Sequence, residues 1–422
     1  MNILALESSC DETAAAILSF DKSFPDTSSK LLSNVVVSQI DIFKAYGGVI
    51  PEVAARSHLE AVLPVIDEAF KKANLLDKNG KNNWDKIDAI AVTNTPGLLG
   101  SLLIGTLTAR TLAILHKKPL YPIHHLKSHI YSCWLSNETA EELVEQKLLS
   151  KELVTNHDDF HSISPSSSSS RRAKRLDDRE RDRMKCCKNH SACQNRSLES
   201  SFCPTFPLLA LVISGGHTQI IRMESDNSFE IIGTTLDDAV GECFDKVAKI
   251  LGLPYPGGPS VSEAAKSGNP DRYPLPIPNI KNLDFSFSGL KTAVLRAVQK
   301  EVGVPISYPS HELKNLLTPE QVADFSASFE KTATEILLKK LKKALKLYPD
   351  TKSIVFAGGV SANQYLRSHA ESSFNLPVFF PPLTFSGDNA AMVALAAAHE
   401  IATGVEPTDP YKISILPRSA IN

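Results

Sequence analysis

The stretch Leu208-Leu209-Ala210-Leu211-Val212-Ile213-Ser214-Gly215-Gly216-His217-Thr218 joins an unbroken apolar run to a polar turn that contains two glycines. A second, mostly apolar segment, Gln219 to Met223, follows this turn. An apolar run, a tight polar turn and a returning run predict a β-hairpin. Glycines at the tip leave main-chain amides free to meet an anion. The pattern therefore predicts a buried hairpin whose tip faces a ligand.

The same pattern opens the chain. Asn2 to Leu6 predicts a buried strand, Glu7 to Thr13 a polar turn, and Ala14 to Leu18 the returning strand. Two such hairpins, far apart in sequence, predict a duplicated architecture with two lobes. In nucleotide-binding folds of the actin, Hsp70 and sugar-kinase type, this N-terminal turn addresses phosphate or metal. A merely solvated hairpin tip is the alternative interpretation of the turn.

The bulk composition sets the class of protein. A chain of 422 residues with 42% hydrophobic residues and a formal net charge of -2 fits a soluble globular protein with two lobes. The balance of charge does not exclude a nucleic-acid substrate, because a local basic patch can supply the attraction. The longest apolar run, Ala390 to Ala398, is shorter than the roughly 18 residues that a membrane span needs. We therefore expect no membrane association.

The expected domain organisation is an N-terminal lobe at 1–134, an insertion at 135–205 and a C-terminal lobe at 206–422. Serine and charged residues dominate the middle segment, which predicts a largely disordered insertion. A zinc site is the weaker interpretation of the residues near this segment, because their spacing lacks a paired Cys-x-x-Cys; they are Cys186, Cys187, His190, Cys193 and Cys203. The basic run from Arg171 to Arg175 fits a solvated charge run better than an RNA contact. An odd total of seven cysteines indicates a reducing compartment.

The sequence His125-Leu126-Lys127-Ser128-His129 offers the strongest candidate for a metal site. Two histidines four positions apart share one face of a helix and can bind one metal ion. A catalytic metal normally takes three protein ligands and keeps an open position, so a third ligand must come from elsewhere. Our candidate is Asp388, in the distant loop Phe385-Ser386-Gly387-Asp388-Asn389. The same histidine spacing also occurs by chance on surface helices, which is the alternative.

Further glycine-rich turns follow predicted strands. Asn94 to Gly105 matches neither the dinucleotide nor the Walker fingerprint, and we interpret it as a loop beside a site or as close helix packing. Tyr255 to Pro259 predicts a rigid turn that allows close approach to the backbone. Ala357 to Asn363 links a strand to a helix, where such folds bind an adenosine or a phosphate. Asp245, in the middle of a predicted helix, is a candidate acceptor for a ligand hydroxyl.

Together these motifs resemble the universal tRNA threonylcarbamoyladenosine transferase family, whose members were formerly described as O-sialoglycoprotein endopeptidases. The resemblance rests on segments in family order over nearly the whole chain outside the insertion. They are Glu-Ser-Ser-Cys-Asp-Glu-Thr (7–13), His-His-Leu-Lys-Ser-His (124–129), Ser-Gly-Gly-His-Thr (214–218), Asp-Asp-Ala-Val-Gly-Glu-Cys-Phe-Asp-Lys (237–246), Tyr-Pro-Gly-Gly-Pro (255–259), Phe-Ser-Phe-Ser-Gly-Leu-Lys (285–291), Ala-Gly-Gly-Val-Ser-Ala-Asn (357–363) and Ser-Gly-Asp-Asn-Ala (386–390). His124 and Ser128 stand where the family usually has Asn and Gly.

The resemblance implies a fold and a set of site residues. The fold class is α/β, a two-lobe actin/Hsp70/hexokinase-like (ASKHA) fold with duplicated mixed sheets flanked by helices. One divalent cation per subunit, Fe²⁺ or Zn²⁺, is expected on His125, His129 and Asp388. The implied substrate-binding residues are Ile213, Ser214, Gly215, Gly216, His217, Asp245, Gly258 and Asn363.

The resemblance also implies a reaction and partners. The expected activity transfers a threonylcarbamoyl group from threonylcarbamoyl-AMP to the N6 amine of the adenosine next to the anticodon, in tRNAs that read ANN codons, and releases AMP. That amine is a poor nucleophile, so it needs an activated carbonyl and a cation to stabilise the developing charge. A separate synthase supplies the adenylate, and a homodimer is the candidate assembly. No residue is assigned as general base.

Other functions are weighed against this one. A zincin-type metalloprotease needs His-Glu-x-x-His, but Leu126 follows His125, so the catalytic carboxylate is missing. An ATPase or kinase of the same fold would release phosphate from ATP without tRNA, and a scaffold protein could lose the metal ligands. The opening motif resembles the bacterial and organellar branch, while the long insertion resembles eukaryotic proteins. We therefore expect a mitochondrial enzyme, with the cytoplasm as the alternative, although the N-terminus lacks a presequence pattern.

Overall fold

Both predicted hairpins form, and each is the centre of a five-stranded mixed sheet. The computed structural model describes residues 1–21, 29–135 and 203–418. Almost all of the expected insertion, including Cys186, Cys187, Cys193 and the basic run, lies outside the described residues, whereas Cys203 is described and is a free, exposed cysteine. The expectation that this segment is disordered therefore stays a prediction.

The two sheets repeat one topology. The first consists of β1 (Asn2–Glu7), β2 (Glu12–Ser19), β3 (Lys30–Ser38), β4 (Ala89–Thr95) and β5 (Leu120–His124), in the order β3-β2-β1-β4-β5. The second consists of β6 (Leu208–Ile213), β7 (Thr218–Met223), β8 (Glu230–Thr234), β9 (Ser353–Ala357) and β10 (Val378–Phe379), in the order β8-β7-β6-β9-β10. In each sheet the first three strands in chain order are antiparallel and the last two join in parallel. The predicted duplication is confirmed.

Ten α-helices lie among the described residues. They are α1 (Ile40–Lys44), α2 (Pro51–Lys72), α3 (Leu99–His116), α4 (His125–Tyr131), α5 (Val240–Leu251), α6 (Gly257–Ala265), α7 (Ser288–Glu301), α8 (Pro319–Leu347), α9 (Gln364–Ser373) and α10 (Ala390–Ala402). Local sequence explains several boundaries. Thr318 caps α8 in a capping box with Gln321, with Pro319 in the first turn as predicted. Pro51 likewise opens α2.

Two helices form a layer between the sheets. The largely apolar α10, from the C-terminal half of the chain, packs against β1 and β2 of the first sheet. The short α4, which follows the first sheet, contacts β6 and β9 of the second sheet and also packs on α10. One core cluster accordingly contains buried residues of both sheets together with both helices. Each half of the chain thus supplies a helix to the middle layer.

Two elements differ from the sequence-based expectation, and at a third the structure decides between two interpretations. Helix α3 begins at Leu99, inside the stretch 94–105, and Gly100 packs on Ala55 of α2, which confirms close helix packing as the interpretation of these glycines. The predicted turn at Tyr255 to Pro259 is wrong in extent, since α6 begins at Gly257. Strand β8 was not predicted, because it is a short edge strand with only partly buried side chains.

Helix α3 carries apolar side chains on its exposed face as well as on its buried face. Among the described helices it is the one long and apolar enough to cross a membrane by length and composition alone. In this fold it packs on β4 and α2. Leu103 and Leu107 of α3 remain exposed, as do Leu59 and Leu63 of α2. These two helices therefore present an apolar surface that the described fold does not cover.

Candidate functional site

The predicted metal ligands meet between the sheets. His129 Nε2 lies 3.0 Å from Asp388 Oδ1, and His125 Nε2 lies 3.5 Å from the same oxygen. The two Nε2 atoms are 3.2 Å apart. One ligand atom of each residue thus converges on one point, although Asp388 follows His129 by more than half of the chain.

This triangle has the size that a metal ion requires. Metal–ligand bonds of about 2.1 Å place neighbouring ligand atoms roughly 3 to 3.5 Å apart in tetrahedral or octahedral coordination. The three distances fall within that range. The donor set of two imidazoles and one carboxylate suits Zn²⁺ or Fe²⁺ and leaves positions open for substrate or water. The residues present therefore fit the expected cation.

The N-terminal caps of two helices position the proposed metal ligands. His125 is the first residue of α4, and the His124 side chain caps this helix by accepting from the Leu126 amide at 3.2 Å. Asp388 lies just before α10, whose cap Asn389 accepts from the Met392 amide at 3.0 Å. Because α4 packs on α10, the two caps bring the ligands together. This packing explains how the site forms from two halves of the chain.

The buried carboxylate of Glu7 contacts the second ring nitrogen of His125. Glu7, at the end of β1, places Oε2 3.2 Å from His125 Nδ1. The same carboxylate accepts from the Thr93 hydroxyl and the Ser9 amide, each at 2.6 Å. Ser9 Oγ also lies 3.2 Å from His125 Nδ1. Carboxylates in this position orient a metal-binding imidazole and keep its second nitrogen free for the metal. Sequence reasoning did not assign this role to Glu7.

The electrostatics of the site are those of a compact charged cluster. Burial lowers the pKa of His125, but the charges of Asp388 and Glu7 outweigh it and raise this pKa to about 9. Burial raises the pKa of Asp388, but the histidines outweigh it and hold this pKa well below its usual range. Burial and the positive charges of His125 and His129 lower the pKa of His217 to about 4. His217 is therefore neutral at physiological pH.

The cluster opens into a cleft of about 1900 Å³ between the two hairpin turns. The lining includes Ser9 to Glu12 from the first turn and Ser214 to His217 from the second. It also includes glycines at which a Cβ atom would meet nothing within 4 Å, so the space beside them is open to a ligand. These are Gly47, Gly48, Gly215, Gly216, Gly258, Gly359 and Gly387.

Most of the predicted substrate residues line this cleft. Those that do are Ser214, Gly215, Gly216, His217, Asp245, Gly258 and Asn363. Ile213 does not, because it ends the buried strand β6. Its carbonyl oxygen instead packs against Gly358, whose φ of +86° and lack of space for a Cβ require glycine. Ile213 thus supports the Gly358–Gly359 turn from behind.

Asp245 has a structural partner as well as a place in the cleft. Its Oδ1 accepts from the amide of Gly257 at 2.6 Å, which anchors the start of α6. Burial raises the pKa of this carboxyl, and the Gly257 amide opposes that shift. The residue lies on α5, on the side that faces the cleft. The Asp245 carboxylate can therefore bind the Gly257 amide and also accept a hydrogen bond from a ligand.

Asn363 uses its side chain within the protein. Its Oδ1 caps α9 by accepting from the Leu366 amide at 2.8 Å. Its amide nitrogen donates to Ser262 Oγ at 2.9 Å and to Glu330 Oε1 at 2.7 Å. Both side-chain hydrogens of the amide are thus engaged. We infer that Asn363 shapes the wall of the cleft and orients Glu330, which also lines it.

The first turn contributes acidic residues whose roles sequence reasoning left unassigned. Asp11 and Glu12 line the cleft. Burial raises the pKa of Asp11, and burial together with the charge of Asp388 raises the pKa of Glu12 well above its usual range. A carboxyl with a raised pKa in a cleft is a candidate proton acceptor or donor. The signal available in sequence was the pair of carboxylates in the turn.

Comparison with known proteins gives consistent matches. The family model described as "TsaD: tRNA N6-adenosine threonylcarbamoyltransferase" matches residues 30–144 and 190–395. A tRNA N6-adenosine threonylcarbamoyltransferase of Thermomicrobium roseum is 36% identical over 413 residues, covering 96% of this chain and 93% of the relative. The enzyme of the same name from Bacillus subtilis is 37% identical over 411 residues, covering 96% and 92%.

Solved structures support the fold alone. The crystal structure of HypF from T. kodakarensis superposes with a TM-score of 0.52 at 11% sequence identity. The match covers 96% of this chain and 48% of that chain. At this identity the likeness concerns architecture and carries no information about substrate.

Proposed function

The chain belongs to the tRNA N6-adenosine threonylcarbamoyltransferase family, and from this premise we propose how its residues serve the transfer of a threonylcarbamoyl group to the N6 amine of adenosine in tRNA. The chain is a transferase that modifies tRNA. The observation that carries the proposal is the convergence of His125, His129 and Asp388 at the cleft between the lobes. We propose that these three residues hold one divalent cation, Zn²⁺ or Fe²⁺.

The donor in this proposal is threonylcarbamoyl-AMP. The N6 nitrogen attacks the carbamoyl carbonyl carbon, a C–N bond forms, and the bond from that carbon to the phosphate oxygen breaks. AMP leaves with the bonding electron pair, and the N6 nitrogen loses a proton. When bound, the cation supplies Lewis-acid stabilisation of negative charge that develops on the adenylate. The acceptor adenosine is the one next to the anticodon in tRNAs that read ANN codons.

The cleft residues bind and orient the donor. Gly215, Gly216, Gly258 and Gly359 leave open space, so a flat or anionic group can lie directly against the main chain. Asp245 accepts a hydrogen bond from a hydroxyl group of threonylcarbamoyl-AMP, while its Oδ1 also accepts one from the Gly257 amide. Neutral His217 adds no charge and can donate or accept a hydrogen bond.

The decisive experiment supplies purified protein with threonylcarbamoyl-AMP and unmodified tRNA and analyses the nucleosides. We expect threonylcarbamoyladenosine to form in equal amount with AMP. Chelation should abolish the product, and one equivalent of Zn²⁺ or Fe²⁺ should restore it. Steady phosphate release from ATP without tRNA would instead indicate an ATPase of the same fold.

Two partners complete the proposal. We propose that a separate synthase makes the adenylate. A second copy of this chain covers the apolar surface of α2 and α3, where Leu59 and Leu63 are 65% and 59% exposed. Leu63→Glu should then shift the protein from dimer to monomer in sedimentation analysis, while Lys71→Glu at the end of the same helix should not. We propose no contact with a membrane.

The proposed location is the mitochondrion, with the cytoplasm as the alternative. What supports it is the opening motif Glu7 to Thr13 together with a long middle segment, since the family match passes over residues 145–189. The tagged full-length chain should co-fractionate with mitochondrial markers. Recovery in the cytosolic fraction would favour the alternative.

A further inference from the structure

The last described residues form a strap across the N-terminal lobe. We define this C-terminal strap as residues 408–418. Its first amide, that of Thr408, donates to the carbonyl of Leu120 at 2.8 Å, and these two residues form an isolated β-bridge. Ile413 packs on the core of the first lobe, and Tyr411 lies under the guanidinium of Arg110 at 5.8 Å. A segment from the C-terminal half is thus attached to the other lobe.

The attachment continues up to the cleft. The Asn94 side chain donates to the carbonyl of Ser414 at 3.0 Å, and the Leu416 amide donates back to the Asn94 carbonyl at 3.1 Å. The Gly97 amide donates to the carbonyl of Pro417 at 3.2 Å. The next amide, that of Leu98, donates to the carbonyl of Ser9 in the first hairpin turn at 2.8 Å. The position of Pro417 is therefore tied to the turn that leads to Asp11.

The strap places a positively charged side chain, that of Arg418, at the cleft. Arg418, the residue directly after Pro417, lines the cleft. The same lining contains several carboxyl groups, Asp11, Glu12 and Asp388 among them. Three lysines share the lining: Lys246 is bound to Asp238 at 2.8 Å and Lys266 to Glu263, while Lys249 forms no ion pair among the described residues. In the part of the chain that the structure describes, no carboxylate forms an ion pair with Arg418.

We propose that Arg418 is a phosphate-binding residue of the cleft, held at its rim by the C-terminal strap. Both substrates carry phosphate: the adenylate has one, and the tRNA has a phosphodiester on each side of its reactive nucleotide. A planar guanidinium binds such oxygens in bidentate fashion, and its charge offsets the carboxylates around it. The inference rests on the proposed function for the identity of these substrates. It does not depend on the metal.

The experiment compares Arg418→Gln with Lys412→Gln. Lys412 lies on the same strap, is 82% exposed and does not line the cleft, so it is a matched control for the loss of one positive charge. Binding of unmodified tRNA is measured without the donor over a range of KCl concentrations. Donor KM is measured separately at saturating tRNA. Thermal melting confirms that the variants fold.

The expected results separate the two sources of phosphate. If Arg418 binds a tRNA phosphate, Arg418→Gln weakens tRNA binding about tenfold at low salt. The slope of log Kd against log salt then falls in magnitude by about 1. If it binds the adenylate phosphate, donor KM rises about tenfold and the tRNA salt slope is unchanged. Arg418→Lys should restore the tRNA slope in the first case, because it keeps the charge.

One result overturns the proposal: Arg418→Gln matches Lys412→Gln in tRNA affinity, salt slope and donor KM. Failure of the proposed function looks different, since the wild-type protein would then form no threonylcarbamoyladenosine. The tRNA binding series would still report on Arg418 in that case, because it uses no donor.

Discussion

Glu7 Oε2 lies 3.2 Å from His125 Nδ1, on the side of the imidazole ring that faces away from Asp388. His125 therefore has a carboxylate at each ring nitrogen, one from the first strand and one from the loop before the last helix. Only the Asp388 side has space for a cation, because Glu7 is buried and its oxygens already accept from Thr93 and Ser9. Glu7 thus determines which nitrogen of His125 is available.

This relationship predicts the effect of Glu7→Gln. The substitution keeps the shape of the side chain but removes the charge that orients and polarises His125. Loss of such an outer carboxylate typically costs about 10- to 100-fold in metal affinity. We expect a weakening of that order, measured by competition of the purified protein with a chromophoric chelator.

The control is His116→Gln. His116 is a surface histidine stacked on Trp84, with ring centroids 4.0 Å apart, and it lies outside the cleft. Its loss should leave metal affinity unchanged. Equal affinity in Glu7→Gln and wild type, with both proteins folded, would show that Glu7 serves packing alone.

The pH dependence of metal binding follows from the raised pKa of His125. In the metal-free protein this pKa is about 9, so the imidazole is protonated below that pH and the metal must displace a proton. Apparent affinity should therefore rise with pH by up to about one decade per pH unit and level off near pH 9. An unperturbed histidine would level off near its ordinary value of about 6.5.

The measurement is a series of chelator competitions between pH 6 and pH 9.5. Glu7→Gln should move the plateau to lower pH, because one of the two charges that raise the pKa of His125 is gone. His116→Gln should reproduce the wild-type curve. A wild-type plateau already reached near pH 6.5 would contradict the electrostatic account of the site.

Local signals explain how much of the fold was predictable from sequence. The hairpin turns at 7–13 and 214–217, Pro51 at the start of α2 and the Thr318 cap of α8 act within a few residues, so each prediction is confirmed. The glycines of α3 confirm the interpretation as close helix packing, since Gly100 lies against Ala55 and Gly105 against Ser8. The identity of these packing partners depends on the folded chain and could not be read from the sequence.

The site was predictable only in part for the same reason. The spacing of His125 and His129 indicates a shared helix face, but nothing local to Asp388 points to those histidines. Its candidacy came from chemistry and from family resemblance. The contact depends on α4 and α10 packing together between the sheets. Glu7 and Arg418 were not assigned, because their roles depend on which side chains lie beside them in space.

Asp245→Asn tests whether Asp245 contacts the donor. Asparagine can still accept from the Gly257 amide, so the start of α6 and the melting temperature should stay near those of the wild type. The NH₂ group of asparagine cannot accept a hydrogen bond from a hydroxyl of threonylcarbamoyl-AMP. Leaving that hydroxyl without a partner costs about 1 to 3 kcal/mol. We expect donor KM to rise by roughly tenfold or more. Asp245→Ala should in addition lower stability, and unchanged KM in both variants would remove Asp245 from the site.

Residues 145–189, which the family match passes over, give a prediction about the middle segment. Because the match to the family model is interrupted at these residues and their composition is rich in serine and charged residues, a variant that lacks them should keep a cooperative melt and most of its transfer activity. The larger deletion from Glu138 to Ser201, which removes almost all of the expected insertion at 135–205, tests that expectation in the same way. Loss of the cooperative melt in the shorter deletion would show that the segment belongs to the folded core.

The prediction with the widest consequences concerns Asp388. In Asp388→Ala the two imidazoles keep their helix, but the one proposed ligand that follows the middle segment is lost. Zn²⁺ and Fe²⁺ sites need at least three protein ligands to hold metal tightly, so metal content and transfer activity should fall together while far-UV circular dichroism stays native. Asp409→Ala, an exposed carboxylate on the C-terminal strap, is the control and should keep both. His129→Ala should resemble Asp388→Ala, because both contribute one ligand atom to the same triangle. Full metal stoichiometry and full activity in Asp388→Ala would mean that the lobes are not joined by a metal, and His125 and His129 would then be an ordinary buried helix face.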